Sequence, residues 1–151
     1  MKKIASFSVD HDKIGVGMYI SRIDGDITSF DLRTRVPNMG DYMDNVTMHS
    51  VEHMLATFLR NGEIGQSVIY FGPMGCRTGF YLLTRDLAPE TVLKALKKAL
   101  AATVAHEGEV FGASRKECGN YKELDISAAK KECAAYLAAL EQHKGDFSYE
   151  N

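Results

Sequence analysis

Residues 47–61, TMHSVEHMLATFLRN, have the pattern of a helix with two very different faces. A regular helix advances about 100° per residue, so side chains three and four positions apart share a side. His49, Glu52 and His53 therefore lie within one arc of about 100°. The opposite side is apolar, which predicts a helix that packs on a core and turns its ionisable side chains away from it. The apolar positions are Met48, Val51, Met54, Leu55, Phe58 and Leu59.

The two histidines and the glutamate of this helix suit metal chemistry. Imidazoles at positions i and i+4 reach one ion, and a carboxylate one turn away serves as acid or base. The plainer alternative is that His49 and His53 are surface residues or hydrogen-bonded core residues. Two histidines alone hold a catalytic ion weakly, because such sites usually have three protein ligands. Spacing leaves the third ligand open among Cys76, Cys118, His11, His106, His143 and a carboxylate.

The rest of the chain predicts short strands mixed with helices. We expect a β-hairpin over 15–32 with Asp24-Gly25 at its turn, then a helix from about Thr47 to Arg60 that is capped by Asp44, Asn45 or Thr47 and ended by Asn61-Gly62. Strands over 65–71 and 79–84, separated by a GPMGC turn, follow this helix. The chain then forms a helix from Pro89 to about His106 and a last helix from about Ser127 to Gln142. Because no βαβ rhythm repeats, the pattern favours an α+β fold in which an antiparallel sheet packs against helices.

Length and charge narrow the class of protein. At 151 residues the chain is long enough for one core, and we expect a single compact domain over residues 1–151. Eighteen basic and 20 acidic residues give a net charge of −2, which offers no electrostatic case for nucleic acid or an anionic membrane as partner. The first residues, MKKIASFSVDHDKIG, lack the apolar core of a signal peptide, and no stretch approaches the ~20 apolar residues of a membrane span.

Cysteine use points to a reducing compartment. The three cysteines, Cys76, Cys118 and Cys133, are an odd number without CxxC spacing, which is typical of reduced thiols and predicts a cytoplasmic protein. Cys133 shares a helical stripe with apolar residues and is expected in the core. His106 and His143 follow the ends of predicted helices and are expected at the surface.

Several segments of the chain resemble those of one enzyme family. HxxEH alone also occurs in inverted zinc peptidases, whereas GPMGCRTG is long and chemically unusual enough to be specific. In order and spacing, the following segments resemble S-ribosylhomocysteine lyase, the LuxS family, over essentially the whole chain: SFSVDH at 6–11, FDLR at 30–33, PN at 37–38, HSVEH at 49–53, GPMGCRTGFYL at 72–82 and CGNY at 118–121.

The resemblance implies a metal site. Carried over residue by residue, it makes His49, His53 and Cys118 the metal ligands, with water completing a tetrahedron. The implied native ion is Fe(II), one per subunit, with Zn(II) or Co(II) as substitutes, and a thiolate with two imidazoles suits all three ions. Cys76 and Glu52 are implied to be the acid-base residues.

The resemblance also implies a homodimer with the metal site at its interface. Ser6, His11 and Arg33 match family residues that bind substrate, typically in the site of the neighbouring subunit. Arg77 directly follows Cys76 on the predicted turn, so we expect it to place a positive charge beside the thiol.

The implied reaction cleaves S-ribosylhomocysteine to homocysteine and 4,5-dihydroxy-2,3-pentanedione, the precursor of autoinducer-2. Its steps are successive carbonyl migrations followed by β-elimination. This chain departs from many relatives at Tyr70, where they have an acidic residue, and at Gly72, where they have serine. Both departures concern packing near the turn and leave the implied ligands and acid-base groups in place.

Two other classes of protein are alternatives to the lyase interpretation. An inverted zinc peptidase would use Glu52 to activate water, but such enzymes are usually much larger and have no place for the GPMGC turn. A non-catalytic metal-binding protein would use Cys118 to close a structural site, which normally has four protein ligands.

Overall fold

The computed structural model describes residues 1–149. Its elements are, in chain order, α1 (Ala5–Ser8), β1 (Gly17–Asp24), β2 (Ile27–Arg33), α2 (Asn45–Asn61), a 3₁₀ turn (Gly65–Ser67), β3 (Val68–Pro73), β4 (Gly79–Arg85), α3 (Pro89–Ala105) and α4 (Ile126–Leu140). The strands form a four-stranded antiparallel sheet in the order β1-β2-β4-β3. The expected α+β class, with an antiparallel sheet against helices, is confirmed.

The hairpin of β1 and β2 forms where the alternation predicts it, but its turn lies one residue later than expected. Asp24 pairs with Ile27, so the two loop residues are Gly25 and Asp26. Gly25 has a φ of 62°, a conformation that glycine adopts without strain at the first position of a tight hairpin loop. The predicted Asp24-Gly25 turn is therefore wrong by one position.

One face of the sheet carries the core. Helices α2, α3 and α4 contact one another, and α2 and α4 also contact the sheet. Strand residues alternate between faces, so those buried beneath the helices recur at every second position. The largest fully buried side chains are Met18, Phe30, Leu32, Phe80 and Leu82 from the strands and Met54, Leu55, Leu59, Leu96, Leu100 and Leu140 from the helices, with Met43 from the loop before α2.

The other face of the sheet is polar and aromatic, and it is only partly covered. Tyr81 and Leu83 are half-buried on β4, whereas Leu82 between them is fully buried. By the same alternation, Asp31 and Arg33 on β2 point to this outer face, opposite to Phe30 and Leu32. They are nevertheless buried, which sets them apart from ordinary surface charges.

Helix α2 matches the sequence expectation closely. Of the three candidate caps, Asp44 is the one used, and its carboxylate accepts a hydrogen bond from the Thr47 backbone N–H at 2.7 Å. Gly62 follows the last residue of α2, as predicted. The cap fixes the first turn of the helix, and His49 lies one turn further on.

Two other boundaries differ from the prediction. The strand expected over 65–71 begins only at Val68, because Gly65–Ser67 form a 3₁₀ turn. Gly65 lies against the Arg60 carbonyl at the end of α2, where a side chain does not fit. Helix α4 starts and ends one to two residues earlier than expected, and α3 ends one residue earlier. Among the described residues, no helix combines the length and apolarity needed to cross a membrane.

The Asp44 cap provides a test of how α2 is anchored. Replacing Asp44 by Ala is expected to lower the free energy of unfolding by about 1 kcal/mol at pH 7, whereas Asp44→Asn keeps an acceptor and changes it by only a few tenths. Urea denaturation measures both.

The same cap has a definite pH dependence. Hydrogen bonding to Thr47 lowers the pKa of Asp44 in the folded chain below its ordinary value of 3.8. The stabilisation is therefore present above the ordinary value and is lost as the pH falls through the lower folded value. The difference between wild type and Asp44→Ala should shrink below pH 4. An equal difference at pH 7 and pH 2.5 would contradict this account of the cap.

Candidate metal centre

Two imidazoles and one thiol converge on a single point. The Cys118 sulfur lies 3.3 Å from His49 Nε2 and 3.8 Å from His53 Nε2. The three ligand atoms all lie within 4.8 Å of one another, and all three residues are half-buried. Among the third ligands that spacing left open, Cys118 is the one that the fold brings to the histidine pair.

The second ring nitrogen of each histidine is tied to a backbone carbonyl. His49 Nδ1 lies 2.9 Å from the Glu123 oxygen, and His53 Nδ1 lies 2.7 Å from the Phe111 oxygen. A carbonyl can only accept, so each Nδ1 donates its proton and each Nε2 presents a lone pair toward the sulfur. Such contacts orient a metal-binding imidazole and select its tautomer.

The loop between α3 and α4 supplies both of these carbonyls and the thiol. Its approach to α2 depends on Gly112, which has a φ of 69°. A Cβ at this position would lie only 3.3 Å from His53 Nδ1. Closer to the thiol, the Asn120 backbone N–H lies 3.4 Å from the Cys118 sulfur and can donate to it.

The donor set fits a tetrahedral divalent ion. With metal–sulfur bonds of about 2.3 Å and metal–nitrogen bonds of about 2.0–2.1 Å, tetrahedral angles place N and S roughly 3.6 Å apart. The observed separations of 3.3 and 3.8 Å bracket that value. A thiolate with two neutral imidazoles suits Fe(II), Co(II) and Zn(II), and three protein ligands leave a fourth position for water or substrate.

Glu52 lies on the same face of α2 as the two histidines. Its side chain is half-buried, three positions after His49 and next to His53. The two imidazole rings meet edge to face with centroids 4.6 Å apart. The helix therefore presents a carboxylate beside the ligand set without using that carboxylate as a member of the cluster.

A second group of reactive side chains surrounds Cys76, at the exposed turn between β3 and β4. The Cys76 sulfur lies 3.1 Å from the Thr78 hydroxyl and 3.8 Å from Arg33 Nη1. The guanidinium of Arg77, expected to place a charge beside the thiol, lies over the Tyr42 ring, 5.7 Å from the centroid. The cation in contact with the Cys76 sulfur is Arg33.

The three predicted substrate-binding residues lie around the same thiol. A cavity of about 310 Å³ is lined by Ser6, His11, Arg33 and Cys76 together with apolar and aromatic neighbours. His11 Nδ1 is tied to the Val9 carbonyl at 2.9 Å, which leaves the other ring nitrogen for the cavity. None of the metal cluster's residues lines this cavity.

The remaining cysteine has the expected place in the core. Cys133 is 1% exposed, and burial raises the pKa of its thiol to about 12. It therefore stays protonated at neutral pH, which leaves Cys76 and Cys118 as the cysteines accessible for chemistry.

The two histidines expected at the surface are each half-buried. The His106 ring is half-buried and packs against Phe111 with centroids 4.7 Å apart. His143 is also half-buried, with its ring 4.5 Å from that of Phe147. Both follow helix ends as expected, but the loops after α3 and α4 fold back over them.

Sequence reasoning missed the groups that orient the reactive side chains. Thr78 and Asp31 both hold the Arg33 guanidinium, and the carbonyls that tie the histidines left no sequence signal. Asp31 had one available signal, because its spacing of two from Arg33 on a strand places both side chains on one face.

Tyr70 and Gly72 are in steric contact on the outer face of the sheet. The Tyr70 ring lies across Gly72, where a Cβ would overlap the phenol. Tyr70 itself is 52% exposed on the outer face of the sheet. A tyrosine in this conformation therefore requires glycine two residues later.

The fold is a four-stranded antiparallel sheet backed by helices, and two imidazoles from a helix and one thiol from a loop surround a single point. These features define a class of α+β protein that can bind one metal ion and leave one coordination position open. Comparison with known proteins narrows that class. Residues 4–146 match the family S-ribosylhomocysteinase (LuxS), and the chain belongs to this family.

Relatives of this family match almost the whole chain. The S-ribosylhomocysteine lyase of Finegoldia magna is 44% identical over 149 residues, which cover 95% of each protein. That of Borreliella afzelii is 41% identical over 150 residues, which cover 95% of this chain and 96% of the relative. That of Clostridium beijerinckii is 43% identical over 136 residues, or 86% of each.

The ligand assignment leads to a direct measurement. His53→Ala and Cys118→Ala should each bind less than one tenth of the divalent metal that wild type retains after loading and gel filtration, because two ligands hold an ion weakly. Cys133→Ala is the matched control, since this buried thiol lies outside the cluster, and it should retain the metal. Elemental analysis gives the ratio of metal to protein, and full retention by either ligand variant would reject that residue as a ligand.

Proposed function

We propose that the protein is a metal-dependent lyase that cleaves S-ribosylhomocysteine to homocysteine and 4,5-dihydroxy-2,3-pentanedione, the precursor of autoinducer-2. The observation that carries this proposal is the convergence of His49, His53 and Cys118 with an open fourth position, in a chain of the S-ribosylhomocysteinase family. The near full-length relatives named S-ribosylhomocysteine lyase support the choice of substrate.

The chemistry explains why acid-base groups are needed beside a metal. A thioether is a poor target for hydrolysis, so the C–S bond must be broken by elimination next to a carbonyl. The open-chain sugar has its carbonyl at C1. Moving a proton from C2 to C1 places the carbonyl at C2, and a second transfer from C3 to C2 places it at C3. Loss of the C4 proton then expels the sulfur from C5 as homocysteine thiolate, and the resulting enol becomes the dione.

Two side chains are proposed to move these protons. A divalent ion held by the cluster would supply Lewis acidity toward the sugar oxygens. Cys76, as thiolate, takes the proton from C2 and returns it to C1, and the guanidinium of Arg33 lies 3.8 Å from its sulfur. Glu52 assists these transfers and removes the C4 proton in the final elimination. Each positioned acid-base group is worth roughly 10²- to 10⁴-fold in rate.

We propose Fe(II) as the native ion, one per subunit, with Zn(II) or Co(II) as functional substitutes. The support is the donor set, since one thiolate and two imidazoles bind all three ions in a tetrahedral arrangement. Reduced thiols at both Cys76 and Cys118 are required by this chemistry, which supports a cytoplasmic location. We further propose that residues 1–151 act as one domain.

We propose that the working form is a homodimer in which the cavity of one copy completes the metal centre of the other. Cys76 lies with the predicted substrate-binding residues around a cavity that none of the metal ligands lines. Exposed apolar side chains also lie in this region: Phe7 lines the cavity, and Ile4 and Tyr70 line a neighbouring one that shares Ser6 and Tyr81 with it. The closing of two half-sites by twofold symmetry accounts for both observations.

The thiol assay tests the activity. Purified protein incubated with S-ribosylhomocysteine should release homocysteine, detected with a thiol reagent after subtraction of the protein's own thiols. Cys76→Ala should keep its metal and lose at least about 10²-fold in kcat. Cys133→Ala, the matched thiol control, should keep both.

The same assay separates the alternatives. A peptidase or a non-catalytic metal-binding protein would release no homocysteine. Absence of thiol release by metal-loaded wild type would therefore reject the lyase proposal. An active Cys76→Ala would remove this thiol from the mechanism while leaving the reaction in place.

The shared site can be tested by mixing two inactive variants. A heterodimer of Cys76→Ala and Cys118→Ala contains one site with both an intact metal cluster and an intact thiol. Random pairing should therefore restore about a quarter of wild-type activity. The control pair, His49→Ala with Cys118→Ala, damages every metal cluster and should restore none. Recovery absent from the first pair would place Cys76 and its metal in the same subunit.

A further inference from the structure

The guanidinium of Arg33 makes contacts on two sides. Its Nε and Nη2 donate to the two Asp31 oxygens at 3.0 and 2.6 Å. Its Nη1 points the other way, donating to the Thr78 hydroxyl at 2.8 Å and lying 3.8 Å from the Cys76 sulfur. The carboxylate of Asp31 therefore determines the direction in which the free end of Arg33 points.

The pair of Asp31 and Arg33 is buried on the outer face of the sheet. The two residues are 1% and 3% exposed. Desolvating both charges offsets much of their attraction, so such a pair is weak evidence for stability. All three guanidinium nitrogens of Arg33 have a partner, and this geometry fixes the orientation of the side chain.

A third residue completes the contacts of Asp31. The hydroxyl of Tyr149 donates to Asp31 Oδ2 at 2.7 Å. Burial, together with the charge of Asp31, raises the pKa of Tyr149, so the hydroxyl keeps its proton and remains a donor. Oδ2 thus accepts from both Tyr149 and Arg33, which fixes the plane of the carboxylate.

Tyr149 is itself held by the segment that follows α4. Its ring stacks on Tyr19 of β1, with centroids 5.0 Å apart and planes at 19°. The Phe147 carbonyl accepts a hydrogen bond from the Ile20 backbone N–H at 2.7 Å, and the Phe147 ring is buried. This segment, residues 146–149, therefore lies along the edge strand of the sheet and presents a phenol to the buried pair.

We propose that Tyr149 and Asp31 are positioning residues for the cavity, holding Arg33 so that Nη1 stays beside Cys76. The contacts run without a gap from the Tyr149 hydroxyl through the Asp31 carboxylate and the Arg33 guanidinium to the thiol. Neither residue touches the cavity in which the substrate is proposed to bind. The catalytic consequence rests on the proposed function, whereas the effect on Cys76 does not.

The first test needs no substrate. Metal-loaded Tyr149→Phe keeps the ring stacked on Tyr19 and loses only the hydroxyl. Iodoacetamide at pH 7 should alkylate Cys76 at least threefold more slowly in this variant than in wild type, because the guanidinium that contacts the reacting sulfur is less well held. Peptide mass spectrometry follows Cys76 alone.

A matched control lies in the same segment. Ser148 hydrogen bonds to Asp146 within the segment and has no such contact with Asp31. Ser148→Ala should alkylate at the wild-type rate. Equal rates in wild type and Tyr149→Phe, with both folded by circular dichroism, would overturn the proposal whether or not the protein is a lyase. Slowing by Ser148→Ala as large as that by Tyr149→Phe would also overturn it, since it would show a general loosening of the segment.

The second test asks whether Tyr149 acts through Arg33. Tyr149→Phe should lower kcat/KM for homocysteine release by about tenfold, the order expected when a partner that orients a reacting group is lost. In an Arg33→Lys background, which lacks the second arm of the fork, the same substitution should change kcat/KM less than twofold. If wild type is active and Tyr149→Phe lowers kcat/KM by the same factor in both backgrounds, the proposal is overturned and the lyase activity is not affected.

Discussion

The two backbone carbonyls that hold the histidine rings are the constraint on which the metal centre depends. The oxygens of Phe111 and Glu123 belong to the long loop between α3 and α4, whereas the imidazoles belong to a helix anchored by its opposite, apolar face. Each ring is therefore held at two ends, by the core through the helix and by the loop through Nδ1. The same loop then delivers the Cys118 thiol to the lone pairs that these contacts expose.

The two halves of the proposed active site differ in how they are built. The metal ligands come from a helix and a loop and are oriented by backbone atoms. The thiol half comes from the outer face of the sheet and is oriented by charged side chains, with Arg33 buried against Asp31 beneath a covering phenol. Side-chain networks tolerate substitution less well than backbone contacts, because loss of one member leaves a buried charge without its partner.

Much of the fold followed from periodicity, and most of the site followed from the family resemblance. The apolar stripe gave helix α2 to within two residues at its start and one at its end, and alternation gave the first hairpin. Spacing alone left five residues or a carboxylate as the third ligand, since the approach of Cys118 to the histidines depends on a loop without regular structure. The contact between Arg33 and Cys76 was not predicted either, because strand pairing brings the two residues together across 43 positions of the chain. Local sequence carries no record of such long-range contacts.

The ring of Tyr70 lies across Gly72, and this contact shapes the outer face of the sheet. While the phenol occupies that space, every side chain at position 72 collides with it. Because Tyr70 is 52% exposed, a larger residue at position 72 would turn the phenol away from the strand and into solvent. The glycine therefore keeps this aromatic ring flat against the outer face of the sheet and determines the shape of that face.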